Sequence, residues 1–309
     1  MSKDYMGEAA IRPLERLMTA LCHRKGYDYD TVFKGFLDYL LWMFDPDGNK
    51  PDGWKFGKDE SMAFGEMARA YFLIMKEQTE KLGWYDAFGD LYMSLHSNGG
   101  GKGQFFTPPS VCIATAQTCI RSGNWDDYGR TWATTQTTFG RRITISDPAA
   151  GSSRLLLAGN KLMLDAMRDE AKWDAAKIAE RRPYLVAEDL DYNCVKMSAI
   201  NMMMHNCFGE AVCHDTLCEP DEVRLGYIIN EAMWPFPTNI PSIRKYTNPM
   251  RFVSTRMWAI RRMQNEKEAE PKQEHGKVDR KDAAAVQPIG EQTNVAEEKK
   301  KQPQQLTLW

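Results

Sequence analysis

The sequence predicts an α/β protein: a doubly wound, mostly parallel sheet, short of a full set of strands, preceded by a helical N-terminal region. Three observations lead there. Apolar residues in the first hundred positions recur at helical spacing. From Ile143 onward, short β-branched runs alternate with helical stretches. The runs end in acids: Asp147, Asp189 and, just past the third, Asp215. Strand–helix–strand repetition with right-handed crossovers implies a parallel sheet. Ligands of such sheets sit at the carboxyl ends of the strands, where these acids fall.

In chain order, Ile11, Leu14, Leu17, Met18 and Leu21 share one helical face, and Val32, Phe33, Phe36, Leu37, Leu40 and Leu41 repeat the pattern. Asp45-Pro46-Asp47-Gly48 breaks the chain, and a polar connector runs to about Gly57. Helices are expected again from Ser61 to Leu82 and from Trp84 to Leu95, followed by the flexible Ser97-Asn98-Gly99-Gly100-Gly101. Strands are expected at 143–147, 184–189, 210–214 and 225–230. A long helix or helix pair over 154–180 joins the first two, and Asn193 to Asn206 bridges the second and third. From Glu266 on, Lys, Glu and Gln dominate, and no Phe, Tyr or Trp occurs between Trp258 and Trp309. Such a segment buries too little apolar surface to offset its ordering entropy, so a disordered tail is expected over 266–309.

Composition narrows the function classes. A formal net charge of −2 excludes a wholly basic coat, so nucleic-acid contact has to come from a local patch. That patch is expected after Pro237, where Arg244, Lys245, Arg251, Arg256, Arg261 and Arg262 are interleaved with Tyr246, Phe252 and Trp258 and no acid occurs before Glu266. A basic solvated face of an amphipathic helix is the alternative. The seven cysteines form no C-x-x-C pair and read as reduced cytosolic thiols. Cys207, Cys213, His214 and Cys218 fit no familiar zinc spacing, and no metal is expected. The N-terminus lacks an apolar signal segment, and the run from Phe36 to Phe44 is too short to span a bilayer, so a cytoplasmic protein is expected.

The motifs come as an ordered set: Gly103-Gln104-Phe105-Phe106-Thr107-Pro108, then Asp147-Pro148-Ala149-Ala150-Gly151-Ser152, then Glu188-Asp189, then His214-Asp215-Thr216-Leu217. This set, over roughly 84–230, resembles the S-adenosylmethionine-dependent N6-adenine DNA methyltransferases, and most closely the modification subunits of type I restriction systems, which are bacterial. Phe88-Gly89-Asp90-Leu91-Tyr92 is similar to a segment those subunits carry before the cofactor motif. The resemblance implies a Rossmann-like methyltransferase domain over 98–265 after a helical region over 1–97, with S-adenosyl-L-methionine as cofactor. Phe106 and Thr107 would cover the cofactor. Asp147, Ala149 and Gly151 would hold its methionine end, Asp189 its ribose, with Glu188 the alternative if the register slips by one, and Asp215 its adenine amine. Ser153 and Arg154 stand where the family has glycines.

The family's N-P-P-[FY] tetrapeptide is altered. Asn230-Glu231-Ala232-Met233 ends the fourth expected strand, which makes Asn230, the carbonyl of Glu231 and a displaced aromatic, Trp234, the catalytic candidates. Asn248-Pro249-Met250 is a substitute that no strand-like run precedes. The expected activity is methyl transfer to adenine N6 in DNA, with a degenerate cofactor- or DNA-binding relative as the alternative. Expected partners are DNA, a specificity subunit and the bacterial sliding clamp, the last because Gln305-Leu306-Thr307-Leu308-Trp309 resembles a clamp-docking peptide on a flexible tether.

Overall fold

A computed structural model describes residues 5–96, 106–121, 144–169, 172–217, 225–231 and 241–255. The N-terminal region is helical throughout: α1 (Tyr5–Lys25), α2 (Tyr29–Met43), α3 (Lys58–Leu82) and α4 (Ala87–His96). Local chemistry sets the boundaries. The Asp28 carboxylate accepts from the Thr31 N–H and caps α2, and Glu60 reaches back to the Gly57 N–H ahead of α3. The expected helical face of α2 is buried, and Phe36 packs against Phe64, Tyr71 and Phe88. Truncating one such core aromatic to Ala costs about 3–5 kcal/mol.

After α5 (Pro109–Arg121) come β1 (Thr144–Asp147), α6 (Arg154–Asp169), α7 (Ala175–Arg181), β2 (Tyr184–Asp189), α8 (Tyr192–Met204), β3 (Phe208–Cys213), β4 (Leu225–Ile229) and β5 (Ile243–Tyr246). The strands form one sheet in sequential order, β1 to β5. The first three are parallel, as expected, so Asp147 and Asp189 end neighbouring strands and Asp215 follows the third.

One expectation for the sheet is corrected. The strand 225–230 is not parallel: β4 turns back beside β3, with Gly209 opposite Ile229 and Cys213 opposite Leu225. Its carboxyl end therefore lies at the amino edge of the parallel strands. A fifth strand then follows, antiparallel to β4 and so running in the direction of β3. The alternation of β5 is hidden by Arg244 and Lys245, which is why no strand was expected ahead of Asn248. Ile145, Leu185, Ala187, Ala211, Tyr227 and Ile243 share one core with the crossover helices α6 and α8 and with α1–α4, so both crossovers cover one face. On the opposite face Val212 meets Phe252, and the buried Glu210 carboxylate accepts from the N–H groups of Val253 and Ser254 at 2.7 and 2.8 Å. The chain is thus a mixed α/β protein whose helical N-terminal region is continuous with the sheet core.

Candidate functional site

At the end of β1 the chain turns through Pro148–Ser153 into α6, and the turn is stitched to β2. The Ala150 N–H donates to the Glu188 carbonyl at 2.9 Å, and the Gly151 N–H donates to Asp189 Oδ2 at 2.8 Å. Gly151 has φ +56°, and a Cβ there would stand 2.7 Å from the Phe106 ring, so only glycine lets that ring close on the turn. The result is a cavity of about 170 Å³ lined by Phe106, Thr107, Asp147, Gly151, Asp189 and Cys194, among others. It encloses only part of a cofactor-sized ligand, since ligand pockets commonly hold about 300–1,000 Å³.

Asp147 is the most telling group in it. The residue is 1% exposed; Oδ1 accepts from the Ala149 N–H at 3.1 Å, while Oδ2 has no hydrogen-bond partner. Burial pushes its carboxyl up to about 6, against the Ala149 N–H, with the nearby Asp189 charge adding to the rise. Asp189 is raised too, by burial first, although Asp191 and Gly151 N–H groups stabilise its charge. A buried, unpaired carboxylate beside a second one suits a ligand that brings donors or positive charge. The ammonium, sulfonium and ribose hydroxyls of S-adenosylmethionine are such groups, so the residues present fit it on chemistry.

The cavity is braced by a buried ion network that the motif comparison did not reveal. Arg154 donates through Nε to Asp86 Oδ2 and through Nη2 to Asp90 Oδ1, both at 2.8 Å, and through Nη1 to the Thr107 carbonyl at 3.3 Å. Burial opposes the cation, but Asp86 and Asp90 overcome it and raise its affinity for the proton. Asn201 of α8 joins in, donating to Asp86 Oδ1 at 2.7 Å and to the Ser152 carbonyl at 2.9 Å. A Cβ on Gly89 would lie 2.5 Å from the Arg154 guanidinium, so that glycine opens the path between helix and turn. Arg154 therefore ties α4 and the Thr107 segment to the turn. The available signal was two acids four residues apart, Asp86 and Asp90, bracketing the Phe88-Gly89 pair. Ser153, the other non-glycine, adopts φ +69° with its buried hydroxyl unpartnered.

The expected cofactor residues divide. Phe106, Thr107, Asp147, Ala149, Gly151 and Asp189 all line the cavity. Glu188 points to the opposite sheet face, its Oε1 3.7 Å from the buried His214 Nδ1. Asp215 lies outside the lining, on a segment held to the first turn by the Thr216 hydroxyl donating to the Pro148 carbonyl at 3.3 Å. Gly103, Gln104 and Phe105 lie outside the described residues. Among the described residues no group of three or more His, Cys, Asp or Glu is placed to hold a metal ion.

The two described catalytic candidates, Asn230 and Glu231, are not brought to this cavity. Because β4 is antiparallel, Asn230 falls at the opposite edge of the sheet. There it is fully buried with φ +57°, donating to the Cys207 carbonyl at 2.7 Å and accepting from the Ser242 N–H at 3.1 Å. These bonds make it a turn residue joining β3, β4 and β5. Glu231 is exposed and accepts from the Tyr246 hydroxyl at 2.7 Å. Trp234 lies outside the described residues. Asn248 does follow a strand with the right direction, β5, but β5 is four strands from β1, or roughly 19 Å at normal strand spacing. Of the expected DNA contacts, Arg244 and Lys245 are paired with Asp47 and Asp52, and Arg251 stacks on Tyr246. Arg256, Arg261, Arg262 and the segment Gln305 to Trp309 lie outside the described residues. Among the described residues no helix is long and apolar enough to cross a membrane.

Comparison with known proteins bears on the same region. No curated protein matches the chain. A solved structure assigned as a class I S-adenosylmethionine-dependent methyltransferase from Listeria monocytogenes aligns at 9% identity and a TM-score of 0.34, over 66% of this chain and 51% of that one. The chain thus spans about half the length of that protein, and a likeness this slight says nothing of activity. The family model for N-6 DNA methylase matches residues 84–270, more than half of the chain, and takes in the braced turn, the strand ends and the basic β5 segment. The chain belongs to the N-6 DNA methylase family.

Proposed function

We propose that the chain binds S-adenosylmethionine in the cavity at the β1 turn and transfers methyl groups to adenine N6 in DNA. The observation that carries the reading is Asp147: a buried carboxylate with an unpartnered oxygen, lining a hollow built by a glycine turn and closed by Phe106. Asp147 would hold the amino end of the cofactor, and Asp189, with both oxygens already oriented by backbone N–H groups, would accept from ribose hydroxyls. Phe106, seated edge-on against Tyr92, would exclude water from the far side. When bound, the cofactor supplies an electrophilic methyl group. The protein's task is then to position the target amine, and a misplacement of about 1 Å costs on the order of 100-fold in rate.

The Asn230 position favours a second reading, in which the chain binds cofactor or DNA without transferring methyl groups. Calorimetric titration with S-adenosylmethionine and methyl incorporation into adenine-rich DNA separate the two. Cofactor binding with incorporation supports the enzyme; cofactor binding without it supports the degenerate relative; no cofactor binding sinks the enzyme and leaves the second reading only its DNA-binding form. Selection of a DNA sequence is assigned in this reading to a specificity subunit, and Gln305, Leu306, Leu308 and Trp309 to a sliding-clamp contact. Truncation after Gln305 should abolish retention on immobilised clamp.

A further inference from the structure

A second hollow, of about 770 Å³, lies where the segment after α2 crosses the edge strand β5. The edge is held there by the main chain, the Ile243 N–H donating to the Phe44 carbonyl at 2.9 Å. Its wall carries aromatic surface: Trp42 and Tyr192 are half-buried, and the Tyr192 hydroxyl meets that of Tyr227 at 2.9 Å. Tyr192 begins α8, two residues before Cys194 of the β1 cavity, so one helix end serves both hollows.

The ion pairs in this hollow are of two kinds. Deep in it, Lys196 is 2.5 Å from Asp38, with its side chain only 8% exposed and its ammonium 4.4 Å from the Tyr192 ring centroid. That pair is part of the packing. At the rim, Lys245 meets Asp52 at 2.6 Å and Arg244 meets Asp47 at 3.3 Å, and Asp52 is 90% exposed. Exposed pairs of this sort are weak and readily exchanged. A polar segment, 45–52, thus lays two carboxylates on two cations next to aromatic faces. That combination of cation and aromatic surface is what a single nucleic-acid strand uses, phosphates on the former and bases on the latter.

We infer that this hollow takes a single-stranded stretch of DNA, its phosphates on Arg244 and Lys245 and its bases against Trp42 and Tyr192, and that Asp47 and Asp52 occupy those cations until the strand displaces them. The inference rests on the reading that DNA is the substrate, and it adds where the strand lies and what competes with it. The acids make binding conditional: an isolated phosphate gains little by replacing a carboxylate, whereas a strand that also stacks its bases gains on both counts.

The test is fluorescence anisotropy of a labelled single-stranded deoxyoligonucleotide with the full chain. The Asp47→Asn, Asp52→Asn double variant is expected to bind roughly two- to tenfold more tightly than wild type, as loss of two exposed competing pairs implies. The Arg244→Ala, Lys245→Ala variant is expected to bind more weakly, with the slope of log K against log salt smaller in magnitude by about 1.4. An abasic strand of equal length should bind wild type at least several-fold more weakly. Unchanged or weaker binding by the Asn variant, a wild-type salt slope in the Ala variant, or equal binding of the abasic strand overturns the inference, as does a wild type that binds no strand. Methyl incorporation and cofactor titration on the same proteins keep this separate from the activity: tight strand binding without methyl transfer refutes the enzyme and leaves the hollow's role intact.

Discussion

The β1 cavity and the β5 hollow use the same residue types to opposite ends. In the first, Arg154 is buried with Asp86 and Asp90, and the network also takes in the Thr107 carbonyl, the Ser152 hydroxyl and the Asn201 amide. In the second, Arg244 and Lys245 meet Asp47 and Asp52 at the surface. Burial makes the first arrangement costly to break, because a lone charge would be left in a dry interior. Solvent makes the second cheap to exchange. The chain thus holds a fixed frame around one site and a replaceable cover over the other.

Removing the Arg154 side chain should give the largest effect. Arg154→Ala strands Asp86 and Asp90, and is expected to cost about 3–5 kcal/mol of unfolding free energy in denaturant titration. Asp47→Ala, by contrast, should move stability by less than about 1 kcal/mol. Similar losses at the two positions would erase the contrast.

Asp147→Asn sharpens it from the ligand side. Its folded-state value of about 6 lies above the ordinary 3.8, so the carboxylate costs nothing below pH 3.8 and its full penalty above about 6. The variant should therefore be more stable than wild type at pH 7 by roughly 2–3 kcal/mol, with the gain vanishing in acid. It should also lose at least tenfold in cofactor affinity, and the rise in wild-type affinity through pH 6 should disappear. A variant that is less stable at neutral pH would show Asp147 to be a structural group.

Asn230 gives a stability effect of similar size and the opposite sign. Asn230→Ala removes two buried hydrogen bonds and puts Ala at positive φ, at a cost of about 2–3 kcal/mol. Cofactor affinity measured by calorimetry should not change. A large drop in methyl transfer by a variant that is otherwise fully folded would return Asn230 to the active site. Smaller again is Ser153→Gly, which relieves a left-handed serine and an unpartnered hydroxyl and should stabilise by about 1 kcal/mol in thermal melts. No gain would mean that the strain is absorbed elsewhere.

How much of this could be read beforehand depends on the range of the interaction. Asp147 and Asp189 end parallel neighbours because a β-branched run, a short turn and a crossover helix are local features, and three consecutive units leave little freedom in the topology. The helices of 8–44 followed from spacing alone, and the end of the second from the Asp45–Gly48 break, whereas the Asp28 cap emerged only in the fold. Asn230 misled because a strand's residues do not state its direction: Leu225–Ile229 reads the same whether it pairs parallel or antiparallel. Only its pairing with β3 sent its end to the far edge of the sheet.

From its residues alone the chain declares a helical front, an α/β core with acids at successive strand ends, and its family likeness, because propensity, periodicity and turn chemistry act within a few positions. The folded chain alone decides that Asp147 keeps a bare oxygen in a cavity, that Arg154 reaches 64 and 68 residues back to Asp90 and Asp86, and that β5 runs beside the segment after α2. Burial and charge pairing arise between positions far apart in sequence, and no local pattern records them.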